Sequence, residues 1–429
     1  MRERTMLGVL LGLCALFSLL TYGPQPVAGP EAARRLAASP ELRVPGALAL
    51  AAVRGGPGDA DFLRELTLAL RRRGVALAET LSGDPAALRA GLERLAARRA
   101  EHPVVLTLDS AAPGLRAVLA VLPELAGAPL LAPPAQSWPT FLLKDNFLNI
   151  ANQIAVIAIL AIGMTAVIIT AGIDLSVGSL IALSAVVAAW LIGRLGGTAA
   201  GAGGMLAGGA LAVLLCGLLG AFSGLMVTRW RVPPFIATLG MMQVASGLAY
   251  LLSQGRPIYQ VPAAFTALGR GADPWLGLPW AVLLMAVLYL LAHLVMTRTV
   301  LGRHIYAVGG NAEAARLAGV PVARVLMVVY TACAALAGLG GVLMASQLKS
   351  GAPTYGVMYE LYVIAAVVVG GTSLSGGQGR IAGTLVGAFI IAVIQNGMNL
   401  TNVESYTQKV VLGLVILGAV LIERIRARH

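Results

Sequence analysis

Long apolar stretches recur along most of this chain, and they constrain its fold more than any other feature. A run of roughly 20 apolar residues is enough to cross a bilayer as a helix. Hydrophobic residues make up 58% of the sequence and charged residues 12%, whereas an average soluble domain carries about 25% charged residues. Most apolar side chains must therefore face lipid or other helices, and the sequence predicts an all-α polytopic membrane protein.

The apolar stretches predict about ten transmembrane helices. The first, residues 7–20, follows Arg2 and Arg4 and is short for a span, so a signal peptide cleaved after it is an alternative. The other spans follow closely from Asn146 onward. They are predicted at residues 150–171, 179–192, 205–227, 235–252, 280–296, 325–345, 359–371, 381–399 and 410–422.

The formal net charge of +12 is explained by basic residues in short connections between spans. Cytoplasmic connections of membrane proteins are enriched in Lys and Arg, so this charge does not indicate nucleic-acid binding. With both termini in the cytoplasm, the inner connections and tail hold Arg229, Arg231, Arg298, Arg303, Arg316, Arg324, Arg380, Arg424, Arg426 and Arg428. The outer connections then hold Arg194, Arg256, Arg270, Lys349 and Lys409.

One segment differs from the rest in composition, and it divides the chain into residues 1–23, 24–140 and 141–429. Residues 24–140 are rich in Arg, Glu, Asp, Ala and Pro, and this orientation places them outside the cytoplasm. Strand-like runs at 47–53, 75–77 and 104–108 alternate with helical patterns at 61–73 and 84–99, where Asp84 and Pro85 suit a helix start. The alternation predicts a small parallel α/β insert.

The cysteines predict neither a metal site nor disulfide chemistry. Cys14, Cys216 and Cys333 lie far apart in apolar stretches, and no CxxC pair occurs. Packing between helices is the expected role of each.

The longest predicted cytoplasmic connection, residues 297–322, carries signals for a short projecting helix. Gly309 and Gly310 are predicted to break the chain, Asn311 to cap a helix, and Gly319 to end it before Pro321. Such a helix would give a cytosolic partner a rigid surface to bind. The alternative interpretation is that residues 297–322 only connect two spans. The predicted helix contains Glu313, Ala314, Ala315, Arg316 and Leu317.

Residues 309–320, GGNAEAARLAGV, resemble the coupling-loop signature of ribose-type permeases of the ABC importer superfamily. Further blocks of that family, in the family's order, are resembled by residues 146–150 (NFLNI), 163–179 (GMTAVIITAGIDLSVGS) and 359–385, which contain AAVVVGGTSLSGGQGRIAGTL. The resemblance runs from about residue 141 to the end of the chain. It implies a permease of the bacterial inner membrane that translocates a simple sugar, paired with itself or with a sister permease.

The same resemblance implies the partners. Two cytosolic ATPase subunits would bind ATP and Mg, and an extracytoplasmic binding protein would deliver the sugar. The chain itself would bind no cofactor and hold no catalytic residue. The insert departs from the family pattern, because the family has only a short connection after its first span. The predicted β-α-β-α-β order of the insert resembles part of a sugar-binding lobe. We expect either a docking or accessory domain or a spacer without ligand.

Residues 374–378 spell LSGGQ, a string that ABC ATPases use beside nucleotide. That role also needs a phosphate-binding GxxxxGK[ST] loop, and no such string occurs in the sequence. A tight turn between two spans, with Arg380 at lipid headgroups, is the expected role here.

Polar residues within apolar spans are candidates for a translocation path, because burying them in lipid is costly. A neutral sugar needs amides and hydroxyls more than charges. For each residue the alternative is an interhelical hydrogen bond, and for Asp174 a cap on the next helix. The candidates are Asn152, Gln153, Thr165, Thr170, Asp174, Gln243, Ser246, Glu360, Gln395, Asn396 and Asn399.

Three rival functions stay open at this point. The same machinery would serve another cargo, such as a nucleoside, an autoinducer or a branched-chain amino acid. An ion-coupled secondary transporter would need several charged residues at mid-membrane, which the spans scarcely offer. A membrane-anchored sensor would not need nine spans beyond its anchor.

Overall fold

The structure is a computed structural model of the whole chain. It describes residues 2–25, 27–56, 58–108, 110–125 and 127–427, with side chains from residue 5 to residue 421 within those ranges. The side chains of Arg2, Arg4, Arg424 and Arg426, and all of Arg428, fall outside this description. Two compact units are present: residues 22–140, and residues 1–21 together with 141–429.

Helix α1, Arg2–Leu20, precedes the smaller unit, which is an α/β domain. A two-stranded antiparallel ribbon of β1 and β6 joins its entry and exit, and Gln25 donates a hydrogen bond to Thr140 across this ribbon. The remaining strands form a parallel sheet in the order β3-β2-β4-β5. In chain order the elements are β1 Tyr22–Gln25, α2 Gly29–Ala37, β2 Ala47–Val53, α3 Asp59–Arg72, β3 Ala76–Ser82, α4 Pro85–Ala97, β4 His102–Thr107, α5 Ala112–Leu119, β5 Leu130–Leu131 and β6 Gln136–Pro139.

Helices cover both faces of this sheet. Successive residues of a strand point to opposite faces, and β2 is buried on both sides, as central parallel strands are. Ala49 and Ala51 pack with Phe62 of α3 and Leu36 of α2. On the other face, Leu50 packs with leucines of α4 and α5. Asp84 accepts a hydrogen bond from the Ala87 amide and caps α4.

The larger unit is a helical bundle. In the part of the chain that the structure describes, seven helices are long and apolar enough to cross a membrane. The apolar parts of α1, α15 and α17 are shorter. The helices that follow the insert are α6 Lys144–Ile169, α7 Val177–Arg194, α8 Ala202–Arg229, α9 Pro234–Ser253, α10 Ala267–Arg270, α11 Trp280–Arg298, α12 Val300–Gly310, α13 Ala312–Leu317, α14 Val322–Leu348, α15 Tyr359–Val369, α16 Ile381–Leu400 and α17 Ser405–Ala427.

Helix α14 runs through the centre of the bundle, against α6, α7 and α8. Small residues let these backbones approach closely, as is usual between membrane helices. A Cβ on Gly163 of α6 would lie 2.6 Å from the Cα of Cys333, and one on Gly220 of α8 would lie 2.6 Å from the carbonyl oxygen of Tyr330. The glycines therefore set the spacing of the central helices.

The span predicted at residues 359–371 corresponds to the short helix α15, and a non-helical stretch precedes it. Helix α15 ends at Val369 and begins only at Tyr359, and the chain from Gly351 to Met358 is not helical. This stretch runs along α7, because Gly351 meets Ala185 and Gly356 meets Gly178. Irregular backbone is tolerated at membrane depth only where protein buries it, and here α7 provides that cover.

Helix α1 is packed into the bundle against α16. The ring of Phe17 is 7% exposed and lies over Gly397, where a Cβ would come within 2.3 Å of the ring. Phe17 also contacts Phe141, whose amide donates a hydrogen bond to the Thr21 hydroxyl. These contacts pack α1 into the larger unit.

We predict that Gly397→Ala destabilises the bundle, whereas Gly413→Ala does not. Both glycines lie in helices, but only Gly397 faces a ring, and Gly413 has no atom within 4 Å. Overpacking of this kind costs about 1–3 kcal/mol, while alanine otherwise favours a helix over glycine. Thermal unfolding of both variants in detergent checks this; equal melting temperatures would show that α1 does not pack as described.

Candidate functional site

The connection between α11 and α14 carries a short capped helix, α13. The Asn311 side-chain oxygen accepts a hydrogen bond from the Ala314 amide at 2.9 Å, so Asn311 caps α13 as predicted. Gly319 follows the helix at φ +83°, in the left-handed region that glycine adopts without strain. The prediction that Gly309 and Gly310 break the chain is wrong: they are the last two residues of α12, and the chain turns at the extended Asn311.

The outer surface of α13 is exposed and partly apolar. Leu317 is 84% exposed, and Ala314 and Gly310 are also exposed. Ala315 faces inward, and the Glu313 carboxylate pairs with Arg316 on the surface. Leu317 is therefore accessible to a partner protein.

The LSGGQ string forms a turn between α15 and α16 and does not begin a helix. Gly376 and Gly377 adopt φ values of +85° and +70°, and the turn closes with hydrogen bonds from Gly376 to Ser373 and from Ser373 to Gln378. Helix α16 starts only at Ile381. The turn therefore differs from the helix start that this string forms beside nucleotide in an ATPase.

A cavity of about 240 Å³ lies among α6, α14, α15 and α16. Its polar lining consists of amide side chains and one phenol, and its remaining walls are aliphatic. Uncharged donors and acceptors of this kind suit a neutral, hydroxyl-rich molecule. The polar lining residues are Gln153, Gln347, Tyr359 and Gln395.

Several predicted path residues instead form hydrogen bonds between helices. Asn396 and Asn146 exchange two amide hydrogen bonds, at 2.9 and 3.1 Å, and so join α16 to α6. The Thr165 hydroxyl lies 2.7 Å from that of Thr384, again between α6 and α16. Asn152 donates to the Gly269 carbonyl. These side chains fix the position of α6 and do not line the cavity.

Asp174 lies fully buried in the connection between α6 and α7. It does not cap α7: the N-cap is Ser176, and the Asp174 carboxylate accepts hydrogen bonds from the Ser176 amide and hydroxyl. Burial raises the pKa of this carboxyl, and the two bonds from Ser176 oppose the shift. Asp174 therefore orients the residue that starts α7 and faces no open path.

The remaining predicted path residues are dispersed. Thr170 bonds its own helix at Val167, and Glu360 lies over Gly178 of α7. Asn399 accepts from Gln408 at the end of α16. Gln243 is exposed on α9, away from the cavity, and Ser246 is half-buried on the same helix.

The cavity contains two side chains that the sequence analysis missed, Gln347 and Tyr359. Gln347 is an amide at the end of an otherwise apolar span, which is the signal that selected Gln153 and Gln395. Among the described residues, no group of three or more His, Cys, Asp or Glu side chains is placed to hold a metal ion.

Comparison with known proteins identifies the family to which this chain belongs. A sequence profile described as "Branched-chain amino acid transport system / permease component" matches residues 146–420. The ribose import permease protein RbsC of Escherichia coli is 44% identical over 289 residues, which cover 66% of this chain and 87% of that protein.

The chain belongs to the ribose-type family of ABC sugar permeases. The ribose import permease protein of Bacillus subtilis is 43% identical to this permease, over 67% of this chain and 87% of that protein. The L-arabinose ABC transporter permease protein AraH of Azospirillum brasilense is 37% identical, over 67% and 82%. No solved structure matches the chain. The profile match begins after the insert and includes α12, α13 and the cavity.

We predict that Gln395→Leu lowers sugar uptake by the permease, whereas Gln243→Leu does not. Gln395 lines the cavity and Gln243 lies exposed on α9. One hydrogen bond contributes about 0.5–1.5 kcal/mol, so we expect uptake at low sugar concentration to fall about two- to tenfold. Initial rates in whole cells, normalised to permease in the membrane, measure both variants. Equal rates would exclude the cavity from the path.

Proposed function

We propose that this chain is the membrane-spanning permease subunit of a bacterial ABC importer for a simple sugar of the pentose or hexose type. Partner ATPase subunits in the cytosol hydrolyse ATP, and α13 receives their movement. The capped, exposed helix α13 is the observation that carries this proposal. The family membership and the relatives' printed cargoes, ribose and L-arabinose, support the choice of a sugar.

The proposed topology has ten crossings, with both termini in the cytoplasm. The seven long apolar helices and the shorter α1, α15 and α17 supply them. The positions of Arg229, Arg298 and Arg303 support an inner location for the connections that follow α8 and α11. In this topology α12, α13 and the LSGGQ turn share the cytoplasmic side, and the insert lies outside.

The uncharged lining of the cavity favours a neutral sugar over an amino acid as cargo. An amino acid carries a carboxylate and an ammonium group, which buried sites pair with charges. The polar lining offers Gln153, Gln347, Gln395 and Tyr359, without an acidic or basic side chain. Ion coupling through a secondary transporter is disfavoured for the same reason.

For the insert we propose a docking or accessory domain and not a sugar receptor. Ligands of open parallel sheets bind beyond the carboxyl ends of the strands. At that end of β2, the Asp59 carboxylate accepts hydrogen bonds from the amides of Gly55 and Gly56, both at 2.9 Å. The domain's own side chain fills the position where a ligand would meet these amides.

The docking proposal is tested by deleting residues 27–134 and joining the retained strands β1 and β6 with a short turn. We expect uptake to require more binding protein for half-maximal rate, because the deleted surface no longer contacts it. The maximal rate at saturating binding protein should stay unchanged. A spacer without a partner would leave both quantities at their original values.

The main proposal is tested at Leu317. Burying a leucine contributes about 1.5–3 kcal/mol, so Leu317→Glu should weaken ATPase binding about 10- to 100-fold and abolish uptake. Leu276→Glu is the matched control, because Leu276 is 66% exposed in a connection assigned to the outer side. Co-purification with the ATPase subunits and ATP-dependent uptake in proteoliposomes are the measurements. Uptake without any ATPase, or normal ATPase binding by Leu317→Glu, would refute the proposal.

A further inference from the structure

The turn formed by residues 370–380 meets the ends of two helices from distant parts of the sequence. Gly309 of α12 leaves no room for a side chain at this meeting point. A Cβ there would lie 1.7 Å from the Ile169 carbonyl oxygen, at the end of α6, and 2.7 Å from the Gly377 nitrogen. A Cβ on Gly376 would lie 2.8 Å from the Gly309 carbonyl oxygen. We call Ile169, Gly309, Gly376 and Gly377 the glycine junction.

Two hydrogen bonds hold the glycine junction together. The Gly377 amide donates to the Ile169 carbonyl at 2.8 Å, which joins the turn to α6. The Tyr306 hydroxyl donates to the Gly379 carbonyl at 2.8 Å, which joins α12 to the turn. Where Gly309 meets Ile169 and Gly377, the touching atoms belong to the backbone. No flexible side chain therefore separates α12, α6 and the turn at this point, and close-packed atoms transmit displacement.

The elements that meet at the junction also form walls of the cavity. Helix α6, about 39 Å long at 1.5 Å per residue, runs from Ile169 to the cavity residues Gln153 and Ile150. The turn continues into α15 and α16, which contribute Tyr359 and Gln395. The last wall, α14, follows α13 directly in the chain.

Helices α15 and α16 also pack closely against each other, backbone against backbone. A Cβ on Gly387 of α16 would lie 2.0 Å from the Ala366 carbonyl oxygen, and one on Gly370 would lie 2.6 Å from the Gly383 carbonyl oxygen. The two helices therefore move together when the turn between them moves.

We propose that the glycine junction transmits movement of α12 and α13 to α6 and to the α15–α16 pair, and so couples ATP hydrolysis to opening of the cavity. This role, which rests on the proposed function, gives the LSGGQ string of a permease a mechanical purpose. Tyr306, Gly309 and Gly377 are positioning residues: they act on the cavity through helices and do not touch the sugar. Rigid connections between discrete helix arrangements carry coupling of this kind.

The test compares two Tyr→Phe substitutions, each of which removes one hydrogen bond between elements of the bundle, one at the junction and one away from it. Tyr306→Phe removes the hydrogen bond from α12 to the turn. Tyr289→Phe removes a bond of the same kind, from the Tyr289 hydroxyl to the Ala158 carbonyl at 2.9 Å, between α11 and α6 away from the junction. Each variant is reconstituted with the ATPase subunits and the binding protein, and sugar uptake and ATP hydrolysis are measured in the same proteoliposomes.

We expect Tyr306→Phe to lower the sugar taken up per ATP hydrolysed by about fivefold or more, the lower end of typical coupling between sites. ATP hydrolysis itself should persist, and Tyr289→Phe should keep the original ratio. A second pair of variants adds a control: Gly309→Ala should lose coupling, while Gly247→Ala of α9 should not, because no atom lies within 4 Å of a Cβ at Gly247.

The outcomes separate the two proposals. An unaltered complex without ATP-dependent uptake would overturn the proposed function and the junction with it. Normal uptake by the unaltered complex, with an unchanged ratio in Tyr306→Phe, would overturn the junction alone. A parallel fall of uptake and ATP hydrolysis in Tyr306→Phe, matched by less assembled complex, would show a merely structural contact and would likewise overturn it.

Discussion

Close approach of helix backbones is the constraint on which the membrane unit depends. Lipid supplies no hydrophobic drive between helices, so association relies on packing and on interhelical hydrogen bonds. In this permease, glycines set the spacing around α14: Gly163 lies on Cys333 and Gly220 on Tyr330. Hydrogen bonds such as the Asn396–Asn146 pair then fix the orientation of α6. The result is a core with little room for independent movement of one helix.

The same close packing connects α13, the proposed contact for the ATPase, to the cavity. Helix α13 presents Leu317 for a partner, and α12 ends against Ile169 and Gly377. Helices α6, α14, α15 and α16 run from this region to the amides around the cavity. A polar path without charges suits a neutral cargo, and a rigid route from α13 suits a transporter whose energy source is a separate protein. The two features support one function.

The sequence predicted the helical class and the positions of most spans, because apolar runs of sufficient length must become helices in lipid. It also predicted the cap at Asn311, since capping depends on residues next to one another in the chain. It predicted less well where a distant contact decides the outcome. Gly309 and Gly310 were predicted to break the chain but end a helix. The non-helical stretch before α15 was not predicted, because the contact with α7 that covers it joins residues far apart in the chain.

The residues of the candidate site also fall into those that the sequence selected and those that only the tertiary structure identified. Local pattern and family resemblance alone selected α13, and the amide residues Gln153 and Gln395 as path candidates. Only the tertiary structure separated these from Asn396 and Thr165, whose polar groups are satisfied by other helices. The glycine junction was beyond the sequence entirely, because Ile169, Gly309 and Gly377 are far apart in the chain. What each segment becomes is decided by neighbouring residues; which segments touch is decided by packing across the whole bundle.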